Sequence, residues 1–77
     1  MSLMKRYAED MEAFTMRAIE VAWHKDAGYR EAAFSELLRD CETAARVYAS
    51  PAEVAVLFVN HVTDTYAAEF MAQREAA

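Results

Sequence analysis

The chain has 77 residues, a formal net charge of −5 and a hydrophobic content of 56%, with a single cysteine, glycine and proline. This length excludes more than one domain, the lone Cys41 excludes an internal disulfide, and the acidic balance argues against nucleic acid or an anionic membrane as partner. No apolar run approaches the roughly 18–20 residues of a membrane span, and Met1 to Arg6 lead into Tyr7-Ala8-Glu9-Asp10 rather than an apolar stretch, so no export signal is expected and the free thiol reads as cytoplasmic.

The first predicted helix covers about residues 4–27. Met4, Tyr7, Met11, Phe14, Ala18 and Val21 alternate at spacings of three and four, the seam of a helix packed lengthwise on another. Leu3 and Ala22 lie beside that seam. His24 and Lys25 fall in the expected last turn, and Gly28 takes the C′ position, where a left-handed residue commonly ends a helix. Ser2 is the candidate N-cap, although Lys5 and Arg6 oppose the helix dipole.

The second covers about residues 29–48. Phe34, Leu37, Leu38, Cys41, Ala44, Ala45 and Tyr48 form one apolar stripe, with Glu31, Ser35, Arg39, Glu42 and Arg46 opposite. Cys41 sits inside that stripe and is expected to pack as a small hydrophobe. Tyr7, Tyr48 and Tyr66 also fall on core stripes, whereas Tyr29 follows Gly28.

The third covers about residues 51–73. Ser50-Pro51-Ala52-Glu53 reads as a capping box with proline at N1, so Ser50 and Glu53 are expected to cap each other's amides. Ala55, Phe58, Val59, Val62, Tyr66 and Phe70 make the main stripe. The run Val54 to Val59 is apolar on every side, which suits a helix enclosed by neighbours; a strand is the rival, and the proline-led cap argues against it.

The pattern therefore predicts an all-α, three-helix domain over residues 1–77: an αα-hairpin through Gly28, then a third helix leaving at Ser50-Pro51. The short turn leaves helices two and three either antiparallel or steeply angled. Met16, Ile19 and Trp23 on the first helix, and Val56, Leu57 and Met71 on the third, lie off the stripes that close such a core. Trp23 alone can remove roughly 200 Å² from water. These six residues are the candidate interface, and the expected assembly is a helical homo-oligomer, a dimer above all.

Chemistry is thin by comparison. Glu20 and His24, with Asp26 nearby, and His61 and Asp64 are the only carboxylate–imidazole pairs one turn apart, and neither matches a bundle metal motif. One glycine rules out a Gly-rich phosphate cradle, and no basic helix face suits a DNA groove. No catalytic residue, metal or cofactor is assigned, and the balance leans away from an enzyme. The favoured function is a small acidic module that regulates or binds proteins through helix–helix association. The alternative is a small all-α enzyme or ligand-binding dimer with a site at the subunit boundary, for which Arg17, Glu20 and His24 are the nearest polar groups. An acidic mimic of nucleic acid is disfavoured, because Glu9, Asp10, Glu12, Glu20, Glu36, Asp40 and Glu42 are spread among Lys and Arg.

Overall fold

The computed structural model describes residues 2–76 as three packed helices with no strand among the described residues: α1 (Leu3–Trp23), α2 (Ala27–Ala45) and α3 (Pro51–Ala76). Along α1 and α3 the contacts advance together, with Tyr7 stacked on Phe58, Thr15 beside His61 and Trp23 bonded to Glu69, so these helices run parallel. Between α2 and α3 they advance in opposite directions, Phe34 meeting Tyr66 and Arg30 meeting Phe70. At about 1.5 Å per residue, the 26 residues of α3 span ~39 Å, nearly the 42 Å long axis of the molecule. Helices two and three thus lie antiparallel rather than steeply angled, and the fold is an up-down-up bundle.

Helix ends follow from which side chain can satisfy the free amides of the first turn. Ser2 Oγ accepts from the Lys5 N–H at 3.2 Å, capping α1 as its sequence suggests. The α1–α2 junction differs from expectation. α1 stops at Trp23, and Asp26 caps α2 by accepting from the Tyr29 N–H at 3.2 Å. Gly28 is therefore not a left-handed C′ residue; it lies in the first turn of α2 with negative φ. An Asp side chain that bonds the N3 amide stabilises a helix start by about 1 kcal/mol, and this outweighs the preference of glycine for an ending. Arg30 then clasps the junction, donating from Nη1 to the carbonyls of His24 at 2.7 Å and Lys25 at 3.1 Å.

α2 ends at Ala45, before the expected 48, in a turn that keeps Tyr48 against the core. α3 starts at Pro51 as expected, with the Ser50 carbonyl accepting from the Val54 N–H at 3.1 Å. The reciprocal Ser50–Glu53 side-chain cap does not form; no side-chain hydrogen bond joins the two residues. α3 also runs on to Ala76 rather than 73.

The core is small and consistent with the stripes. Phe14, Ala18, Leu37, Cys41, Ala45, Phe58 and Val62 are buried in one cluster, with Tyr7, Met11, Phe34 and Tyr48 packed around it. Phe58 is its hub, contacting the rings of Tyr7, Phe14 and Tyr48. Met4 departs from the seam assigned to it and is 86% exposed, because the first turn of α1 extends past the point where Tyr7 and Tyr48 close the bundle.

The bundle exposes 5255 Å². A monomer of 8.7 kDa typically exposes about 4,700 Å².

Candidate interaction face on α1 and α3

Beside its core stripe, α1 carries a second line at alternating spacings of four and three: Lys5, Glu9, Glu12, Met16, Ile19 and Trp23. α3 carries an equivalent line in Glu53, Leu57, His61, Asp64, Ala68, Met71 and Glu75. Such spacing holds residues on one side of a helix, drifting only ~20° per heptad. Two cross-links tie α1 to α3, each joining a residue of one line to a residue beside the other. The Trp23 Nε1–H donates to Glu69 Oε1 at 2.9 Å, and His61 Nε2 lies 2.7 Å from Thr15 Oγ1. The Thr15 hydroxyl already donates its one hydrogen to the Met11 carbonyl at 2.7 Å, so the histidine is the donor to Thr15. Both pairs are separated by 46 residues, the register of parallel α1 and α3.

Large apolar side chains on and beside this border stay wet. Met16 is 57% exposed, Trp23 44%, Val56 56%, Leu57 51% and Met71 57%. The run Val54 to Val59 is thus enclosed on one side only, with Phe58 buried while Val56 and Leu57 face solvent. Ile19, on the same α1 line, is half-buried. Shallow depressions flank these residues, one of about 430 Å³ at Glu53, Val56 and Leu57 and one of about 280 Å³ at Glu9, Glu12 and Met16. Sequence periodicity identifies these residues as off the core stripe. It carries no sign of the Trp23–Glu69 and Thr15–His61 bonds, since both partners are remote in sequence.

The other candidates separate clearly. His61 is committed to Thr15 and does not form a site with Asp64. His24 stacks on Tyr29 at 4.0 Å between ring centroids and accepts the Asp26 N–H at Nδ1. With Arg17, Glu20, Tyr29 and Glu36 it lines a polar groove of about 310 Å³ between α1 and α2. Arg17 is already paired there with Asp40 at 2.9 Å. Among the described residues no group of three or more His, Cys, Asp or Glu side chains is arranged to hold a metal ion. Cys41 is buried, and that burial pushes its thiol up from 9.0 to about 11 against a partial offset from Arg17, which leaves no thiolate for nucleophilic work near neutral pH.

No protein-family model matches the chain, and no curated protein or solved structure does so either. No described helix is long and apolar enough to cross a membrane. The surface alone therefore carries the functional reading.

Proposed function

We propose that the chain is a small protein–protein interaction module that works by helix–helix association through the outer face of α1 and α3. Its occupant is a second copy of the chain or another helical protein. The observation that carries this reading is the shared exposure of Met16, Trp23, Leu57 and Met71 along two bordering helical lines. A parallel pair of helices with apolar edges offers a groove for a further helix, the arrangement that turns a three-helix bundle into four. Light scattering on the unmodified chain, with titration of a neutral amphipathic peptide followed by Trp23 fluorescence, is the test. Either self-association or a blue shift of Trp23 on adding peptide is expected, each lost in Trp23→Glu or Met16→Glu. A monomer whose Trp23 ignores every helix offered to it would overturn the reading.

A small polar ligand in the α1/α2 groove is the second reading, favoured by the convergence of Arg17, Glu20, His24 and Tyr29 on one depression. It ranks lower because Asp40 already holds the Arg17 guanidinium.

A further inference from the structure

The charge of the molecule is not evenly spread. The two border lines hold Glu9, Glu12, Glu53, Asp64 and Glu75, with Glu69 beside them at Trp23, and against these stands one cation, Lys5. Everywhere else the acids and bases cancel. Arg6 pairs with Asp10, Arg17 with Asp40, Arg30 and Arg74 lie over the Phe70 ring, and Lys25, Arg39 and Arg46 belong to the linker and α2. The border residues therefore sum to −5, the formal charge of the whole chain, along the lines that also expose Met16, Trp23, Leu57 and Met71.

We infer that the occupant of this face is a basic amphipathic helix, which lays an apolar stripe along Met16, Trp23, Leu57 and Met71 and sets Lys or Arg against the flanking carboxylates. The inference rests on the interaction reading above and narrows it. A second copy brings the same carboxylates against themselves, with only Lys5 to offset them in each chain, and like charges across an interface oppose docking. A basic helix supplies the missing sign. It also explains why the apolar line is interrupted by Glu12 and Asp64, which a purely apolar contact has no use for.

The test uses the full chain and three synthetic helices of ~20 residues, long enough to follow the 21 residues of α1. One carries leucine on one face and lysine on its flanks, the second has glutamate for each lysine, and the third is the lysine peptide scrambled to lose its apolar face. None contains tryptophan, so Trp23, the single tryptophan of the chain, reports binding. The lysine helix is expected to shift Trp23 to the blue and bind at least about tenfold more tightly than the other two at low ionic strength. That margin over the glutamate helix should shrink in ~1 M salt, where the Debye length falls to about 3 Å. Glu12→Lys with Asp64→Lys should remove most of it. Glu31→Lys with Glu42→Lys, an equal change in net charge on α2, should leave most of it in place.

Helical content by circular dichroism checks each variant, and the neutralising pair Glu12→Gln with Asp64→Asn replaces the reversal should the latter fail to fold. Equal binding of lysine and glutamate helices overturns the charge inference while leaving helix docking intact. Equal binding of the scrambled peptide, or equal loss from the α2 pair, reduces the effect to net charge and also overturns it. A dimer at low salt that buries Trp23 gives the face to a second copy and does the same. No response to any helix, from a monomer, removes the interaction reading itself.

Discussion

The two flanks of α1 handle charge in different ways. On the flank turned to α2, Arg17 meets Asp40 at 2.9 Å, and Asp10 both pairs with Arg6 and accepts the Tyr48 hydroxyl. On its outer side, away from the core, Glu9 and Glu12 have no ion-pair partner among the described residues, and Met16 and Trp23 stay exposed beside them. Exposed pairs like Arg17–Asp40 contribute only about 0–1 kcal/mol. The contrast therefore says little about what holds the bundle together. It says that the chain satisfies itself on one flank and leaves both apolar area and charge unanswered on the other. Stability belongs to the core that α1 shares with α2 and α3, and the outer border is the face we propose for recognition.

The comparison breaks most visibly at Phe58, where the core should dominate. Phe58 is fully buried and touches Tyr7, Phe14 and Tyr48. Phe58→Ala should cost about 3–5 kcal/mol, enough to unfold much of a domain this small. Urea denaturation followed by circular dichroism measures it. A loss under ~1 kcal/mol would mean that the three rings repack without their hub.

How much of this was legible in the sequence depends on whether a signal was local. The 3.6-residue pattern located all three helices, and the α3 start at Pro51 followed from proline at N1. The α1–α2 junction departs from its sequence expectation because the Asp26 cap outweighs the preference of Gly28 for a helix end, and Asp three residues before Tyr29 is itself a cap signal. Off-stripe positions such as Met16 and Leu57 were readable as surface. Met4 was not, since periodicity shows which side of a helix is apolar but not where its neighbours end. Charge segregation needed the fold, because carboxylates scattered in sequence collect on one flank only when α1 and α3 run parallel.

A second effect sharpens the core side of the comparison through pH. Burial holds the Cys41 thiol in its neutral form, raising its pKa from 9.0 to about 11, while burial and then the Asp10 carboxylate raise that of Tyr48 above its ordinary 10.0. The unfolded chain gives up these protons first. Stability from both groups is complete below pH 9, and the Cys41 part is lost as pH rises from there to about 11. The urea midpoint should fall over that window, and Cys41→Ala should make the fall shallower. Under native conditions at pH 8 a thiol reagent should label Cys41 no faster than the chain opens; prompt labelling would show that the thiol is accessible.

The helix starts offer a smaller comparison. Asp26 makes its side-chain cap and Ser50 does not, so Asp26→Ala should cost about 1 kcal/mol and Ser50→Ala only a few tenths. Thermal midpoints of the two variants under one condition decide it. Equal losses would show that the Ser50–Glu53 box forms in solution.

The smallest effect belongs to the outer border and separates the two flanks most cleanly. Met16 and Leu57 are more than half exposed and lie outside the buried cluster. If their role is recognition alone, Met16→Ser and Leu57→Ser should each change the stability of the isolated chain by no more than about 0.5 kcal/mol. The same substitutions should weaken docking of an amphipathic helix, because each removes an apolar side chain from the stripe that the helix would cover. The measurement is a pair of curves per variant: urea unfolding at low protein concentration, then peptide titration on Trp23. Unchanged unfolding with weakened titration assigns the border to a partner. A loss above ~1 kcal/mol in unfolding, independent of protein concentration, would instead place Met16 and Leu57 in the core of the single chain, and the distinction between a closed flank and an open one would fail.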